Sequence, residues 1–304
     1  MKVNNTNDKE DERKSLMIDL HVHTNRSDGE LEPKEIIQLA KKEGVKVIAI
    51  TDHDTTDALV EAREECVRNN IEFIPGIELS SIDNGKEVHI LGYYIDETSR
   101  ELKEFCDKSL EKRNKRNEKY IELLNSLNVN VSIDDIKQVT KSRVISKIHF
   151  ADCLLKKKYT TYFREAFKKY FNKKNFKDIK AEFPSVEDCI KNIKNAGGIA
   201  VLAHPKILNY NSEVLESKIK EYKGYGLSGI ECYYTGHSNS EVSLYKELSQ
   251  KYDLITTGGT DYHGPKVSPV VKIGRGVKGN VNVTDYCIVE DMIDKLNQDI
   301  LTCK

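Results

Sequence analysis

Histidine is scarce in this 304-residue chain and its placement is uneven. Eight histidines occur, at positions 21, 23, 53, 89, 149, 204, 237 and 263. Four of them lie in three short strings that also carry carboxylates: Asp19-Leu20-His21-Val22-His23-Thr24, Thr51-Asp52-His53-Asp54-Thr55 and Gly259-Thr260-Asp261-Tyr262-His263-Gly264. Each string stands at the end of an apolar run, and His89 and His204 accompany strand-like stretches of their own. Imidazole and carboxylate gathered at strand ends describe a site for several divalent cations. A fold that serves such a site must bring many strand ends to one place.

The rhythm of the chain offers such a fold. Leu16–Leu20 reads as a strand, and Pro33 opens a helix that Gly44 closes. Val45–Ile50 is a near-continuous apolar run, as suits a parallel strand buried on both faces. A helix over Thr56–Asn69 and strands over Ile71–Leu79 and Val88–Ile95 follow. Strand and helix alternate again from Gly198–Ala203 through Gly229–Cys232 and Leu254–Thr257 to a helix near 285–300. This predicts an α/β barrel of parallel strands with its chemistry on the rim of strand C-terminal ends. The barrel is expected from residues 15–98 and 186–304. Residues 99–185, charged and helical in pattern, are expected as an insertion over the active-site face, and residues 1–14 as a disordered tail.

Spacing then selects candidates. His21 and His23, two apart on a strand, leave the same face, and Asp261 and His263 repeat that spacing. His53 lies just past a strand, Glu78 near the end of the next, and Asp28 in the loop after the first. With His89 and His204 these make nine candidates, enough for two or three ions with bridging groups and water. The donor set suits Mn, Zn or Fe without choosing among them. Metal-assisted hydrolysis of a phosphoester is the expected chemistry. Covalent routes fit worse, because six residues separate Cys106 from Arg113, one too many for a cysteine phosphatase loop. Asp52, Asp54 and Glu231 are candidates to orient ligating imidazoles, although Asp54 could instead cap the following helix.

Composition narrows the partners. Charged residues make up 32% with a net charge of −1, so no basic field argues for duplex DNA. Seven scattered cysteines without a Cys-x-x-Cys pair suggest buried thiols in a reducing compartment. No apolar run approaches a membrane span, and a cytoplasmic location with no membrane partner is the expectation.

The motifs together resemble the PHP superfamily, named for polymerase and histidinol phosphatase. The resemblance rests on the His-x-His opening, Thr51-Asp52-His53-Asp54, the isolated His204-Pro205 and the late Asp261-Tyr262-His263, and it spans the chain from about residue 16 onward. It implies a distorted seven-stranded (β/α) barrel and a trinuclear centre with nine ligands, falling on His21, His23, Asp28, His53, Glu78, His89, His204, Asp261 and His263. Lys147-Ile148-His149-Phe150-Ala151, Ala196–Pro205 and Gly229–Tyr234 are similar to the stand-alone branch that acts on nucleotides. For that branch the resemblance implies hydrolysis of nucleoside 3′,5′-bisphosphates or of the 5′ end of short RNA by metal-activated hydroxide. His21, His23, His53, His204, Asp261 and His263 would carry the catalysis.

The second phosphate of such a substrate needs cations. The stretch 112–119 is the densest basic patch, and its plain reading is a solvated helical face. Arg113 and Arg116, one turn apart, offer the functional alternative, with Arg143, Lys147 and His149 as a second basic group. His237 is expected either at the substrate or simply on the surface. Two rival functions remain: histidinol-phosphate phosphatase, whose sites share the ligands, and a non-catalytic metal-binding module, which should have lost some of them.

Overall fold

The computed structural model describes residues 16–172, 179 and 182–302; the tail expected over residues 1–14 lies outside them. Seven strands form one sheet in sequence order: β1 (Met17–Val22), β2 (Val45–Ile50), β3 (Glu72–Asp83), β4 (Lys86–Tyr93), β5 (Ile199–Leu202), β6 (Gly229–Tyr234) and β7 (Ile255–Gly259). The sheet curls until its edges meet. Asp261 N–H donates to the carbonyl of His21 at 2.8 Å, and His23 N–H donates to that of Tyr262 at 3.0 Å. The result is a nearly closed barrel wrapped by helices.

The strands are not all parallel. β4 runs antiparallel to both β3 and β5, whereas the other neighbours are parallel. The reason is a two-residue hairpin at Asn84-Gly85, both in the left-handed region (φ 48° and 79°). Asn-Gly between strand-like runs is a strong hairpin signal, and it corrects the all-parallel expectation. The reversal has a functional result. His89, early in β4, pairs in register with Ser80 late in β3. It therefore reaches the same rim as residues at the C-terminal ends of the parallel strands.

Ten α-helices and a 3-10 turn (Pro205–Leu208) complete the described fold: α1 (Pro33–Glu43), α2 (Leu59–Asn69), α3 (Arg100–Ser126), α4 (Ile133–Lys137), α5 (Lys147–Lys156), α6 (Glu165–Lys169), α7 (Val186–Asn195), α8 (Ser212–Tyr225), α9 (Asn239–Lys251) and α10 (Cys287–Thr302). α1 starts at Pro33 and stops where Gly44 takes φ 89°. α2 starts three residues later than its pattern predicts, because residues 51–58 are held in a loop. Asp54 N–H donates to the Glu78 carbonyl at 3.0 Å, and Glu78 N–H donates to that of Asp52 at 3.1 Å.

Two apolar clusters share the strands. One gathers Ile48, Ile50, Ile77, Leu79 and Ile90 with helix residues such as Ile36, Ile37, Ile190 and Ile219. The other takes Ile18, Leu20, Val47, Ala49, Leu91 and Val201, closed off by Val289 and Met292 of α10. Period-two alternation lets one strand feed both. A third cluster, with Tyr120, Leu124, Phe150, Leu154, Phe163 and Tyr170, lies within α3–α6. Cys66, Cys106, Cys153, Cys189 and Cys232 are buried free thiols, and Cys287 is exposed. Among the described residues no helix is long and apolar enough to cross a membrane.

Candidate metal centre

The rim at the ends of these strands is crowded with charge that water does not reach. His21, His23 and Glu78 are fully buried, and Asp28, His53, His204 and His263 nearly so. Eight of the nine candidates fall into three groups whose ligand atoms lie within 4.8 Å of one another. His23, Asp28, His53 and His263 form one, His21, His23, Glu78 and Asp261 a second, and His53, Glu78 and His89 a third. His204 stands outside these groups, yet its Nε2 is 2.9 Å from Glu78 Oε1.

Glu78 is the hub. Its Oε2 lies 3.3 Å from His21 Nε2, 3.2 Å from His23 Nε2 and 3.2 Å from His53 Nδ1. Its Oε1 lies 2.9 Å from both His89 Nδ1 and His204 Nε2. Asp261 Oδ1 is 3.1 Å from His23 Nε2 and 3.4 Å from His21 Nε2 and His263 Nδ1. Asp28 Oδ1 is 3.3 Å from His263 Nε2 and 4.0 Å from His53 Nε2.

The donor set fits divalent cations. Asp28 Oδ1, His53 Nδ1, Glu78 Oε2 and His204 Nδ1 are buried without a hydrogen-bond partner, an arrangement that costs stability unless something else satisfies them. The proton affinities point the same way. Burial opposes charge on His23 and His89, yet Asp261 and Glu78 around the first and Glu78 around the second push them up to about 10. Burial wins at His53, which is pushed down to about 4. Burial also opposes charge on Glu78 and Asp28, but the neighbouring imidazoles, His53 foremost, hold both carboxylates well below their usual range. A pocket that draws protons onto buried imidazoles is one where divalent ions would replace them.

Surrounding groups fix the donors. Glu231 Oε1 takes His21 Nδ1 at 2.9 Å, which turns Nε2 into the cluster, and its Oε2 accepts the His204 N–H at 2.7 Å. Asp52 accepts from Thr24 N–H and Oγ1 at 2.8 and 2.6 Å and from Ser27, bracing the loop that carries Asp28. Asp54 caps no helix; it pairs with Arg113 and accepts the Ser80 N–H at 2.9 Å. Asp19, the carboxylate of the first string, ties β1 to the loop after β7 by accepting from Thr260 Oγ1 at 2.6 Å and Gly274 N–H at 2.7 Å.

The basic candidates divide. Arg113, Arg116 and Lys147 line one cavity of about 140 Å³ together with Asp28, His53 and His89. The solvated-face reading of residues 112–119 does not hold at Arg113 and Arg116, which are 3% and 5% exposed. Arg113 is committed to Asp54 and donates to Ser80 Oγ at 2.8 Å. Arg116 is stacked over Phe183 and Tyr120, its Nη1 no closer than 3.7 Å to Glu87 and its Nε without a partner. Glu87, which no motif flagged, also lines the cavity; its spacing of two from His89 was the available signal. His149 lines a neighbouring groove with Asp28, and Ser146 N–H donates to its Nδ1 at 3.1 Å, so Nε2 carries the proton. Arg143 is not gathered here: it is exposed and paired with Asp107 at 2.8 Å. His237 is neither on the surface nor in this cavity. It is buried between Tyr234 and Tyr245, at ring separations of 5.0 and 4.7 Å.

Known proteins share this architecture. The chain is 30% identical over 263 residues to the 5′-3′ exoribonuclease Rnm of Escherichia coli strain K12, covering 86% of this chain and 89% of that one. It is 30% identical over 249 residues to the 3′,5′-nucleoside bisphosphate phosphatase of Chromobacterium violaceum, covering 82% and 87%. A solved structure from Bifidobacterium adolescentis, described as a candidate metal-dependent phosphoesterase, superposes with a TM-score of 0.79 at 26% identity, covering 92% and 96%. The family model for the PHP domain matches residues 19–258, and with the buried histidine–carboxylate rim at the barrel mouth it places this chain in the PHP domain family.

Proposed function

We propose that this protein is a metal-dependent phosphoesterase acting on nucleotides: nucleoside 3′,5′-bisphosphates or the 5′ end of short oligoribonucleotides. One observation carries the substrate side. Arg116 is a buried guanidinium with no hydrogen bond to a carboxylate, in a cavity that His53, His89 and Asp28 also line. Burial and the nearby Arg113 lower its proton affinity, the mark of a cation short of an anion. A second phosphate beside the metal centre supplies that anion.

Two to three ions of Mn, Zn or Fe are the cofactor, held by His21, His23, Asp28, His53, Glu78, His89, His204, Asp261 and His263. Bound there, such ions lower the pKa of water and neutralise phosphate oxygens. The chain's own residues do the rest. Glu231 keeps His21 Nε2 turned inward. Arg116 and Lys147 grip the remote phosphate, and the Nε2–H of His149 donates to substrate on the neighbouring side. Residues 15–98 and 186–304 are the proposed barrel unit, and 99–185 the unit that brings these cations over it.

Elemental analysis of active protein is expected to find two to three ions per chain, with phosphate release abolished by chelation and restored by Mn. At most one ion in active protein would refute the multinuclear centre. A panel of nucleoside 3′,5′-bisphosphate, mononucleotide, 5′-phosphorylated dinucleotide and histidinol phosphate tests the substrate class, with the bisphosphate or dinucleotide preferred.

Neutralising Arg116 or Lys147 separates binding from chemistry. A charge-assisted contact is worth about 1.5–3 kcal/mol, so kcat/KM for the bisphosphate is expected to fall roughly 10- to 100-fold per residue. p-Nitrophenyl phosphate, with nothing for these residues to grip, should change little. Arg143→Met, outside the lining of that cavity and paired with Asp107, should leave both substrates unchanged. Equal losses on both substrates at Arg116 would remove the proposed subsite.

A further inference from the structure

We infer that Tyr234 is a positioning residue for the carboxylate of Asp261, a role that rests on the metal-centre reading above. The two oxygens of Asp261 face different groups. Oδ1 points among imidazoles, 3.1 to 3.4 Å from His21, His23 and His263. Oδ2 has one side-chain neighbour that can donate to it, the Tyr234 hydroxyl at 3.4 Å. A phenol ordinarily keeps its proton at neutral pH, so the hydroxyl is the donor and the carboxylate oxygen the acceptor. A donor on the outer oxygen leaves the inner oxygen to the cluster.

The backbone around Asp261 needs such support. Asp261 sits at φ 53°, a left-handed conformation that costs a non-glycine residue energy. Its N–H is held by the His21 carbonyl at 2.8 Å, and its carbonyl by His263 Nδ1 at 2.9 Å. Among the described residues, the side-chain donor to the outer oxygen is the Tyr234 hydroxyl, on a carboxylate that is 17% exposed.

Tyr234 is in turn held from behind, which gives His237 a role. The Tyr234 ring lies 5.4 Å from His204 on one side and 5.0 Å from His237 on the other, and His237 packs edge-on against Tyr245 at 4.7 Å. His237 Nδ1 is 2.9 Å from the Cys232 carbonyl, so it carries the proton and fixes the ring. Thr235 Oγ1 donates to the Thr260 carbonyl at 2.7 Å, tying the loop after β6 to the residue before Asp261. The phenol is thus aimed by packing and does not swing on a free loop.

Groups that orient metal ligands typically contribute 10- to 100-fold in metal affinity. Tyr234→Phe removes the hydroxyl and keeps the ring. The test strips the metal from wild type, Tyr234→Phe and Tyr245→Phe, then titrates Mn or Zn back against a competing chromophoric chelator. The expected result for Tyr234→Phe is one ion bound about 10- to 100-fold more weakly, the others unchanged, with the melting temperature of the stripped protein preserved. Tyr245→Phe, which alters the far end of the same column, should match wild type. Unchanged metal affinity in Tyr234→Phe overturns the inference. If the affinity is unchanged but kcat/KM falls, the hydroxyl contacts substrate, and the positioning role is likewise refuted. If no chain, wild type included, binds more than one ion, the metal-centre reading fails before this one is reached.

Discussion

Glu78→Gln is expected to lose at least roughly a thousandfold in phosphate release, the scale of removing a preorganised electrostatic group together with a metal ligand. The geometry sets that expectation. Both Glu78 oxygens are shared among five imidazoles, at 2.9 Å to His89 and His204 and 3.2 to 3.3 Å to His21, His23 and His53. No other carboxylate of the cluster touches so many candidates. An amide of the same shape keeps the packing but removes the charge that the histidines surround. The loss should therefore appear in metal content by elemental analysis and in kcat for p-nitrophenyl phosphate, with the fold intact by circular dichroism. Near-wild-type kcat in Glu78→Gln would remove Glu78 from the centre.

Arg113→Met carries the second large effect, and it falls on stability. Arg113 and Asp54 are buried together, 3% and 2% exposed, and their pairing fastens α3 across the rim loop to Ser80 of β3. Removing the guanidinium leaves the Asp54 carboxylate buried and unpaired, at a cost of about 3–5 kcal/mol. Replacing both partners, Arg113→Met with Asp54→Asn, removes the stranded charge and should recover much of that loss. Urea denaturation of the two single variants and the double variant measures the coupling. A loss under about 1 kcal/mol for Arg113→Met, the scale of an exposed ion pair, would mean that the pair is not the strut described. The same commitment leaves Arg116 as the better candidate for substrate, because its nearest carboxylate, Glu87, stays 3.7 Å away.

Much of the centre was legible before any coordinate. His21 and His23 share a strand face by period alone, and the strings around His53, Asp261 and Glu78 each end an apolar run. Wherever strands alternate with helices, their ends gather, so the nine candidates could be assembled without knowing a distance. The Asn84-Gly85 turn carried the direction of β4 in two letters, but strand-like runs alone do not encode orientation. What local pattern could not supply was the fate of polar residues whose partners are far away. Residues 112–119 read as a solvated face because a charge run on a helix usually is one. In the fold Arg113 finds Asp54, 59 positions away, and Arg116 stacks on Phe183.

The sequence by itself determined the barrel rhythm and the inventory of donors, because periodicity and residue type are local properties. The tertiary structure decided which donors share an ion and which cations face the cavity. Arg143 is spent on Asp107, and His237 is packed between two tyrosines. Those outcomes depend on burial and on partners distant in the chain. The energy of a buried charge is set by whichever group the fold brings within about 4 Å, which no local window contains.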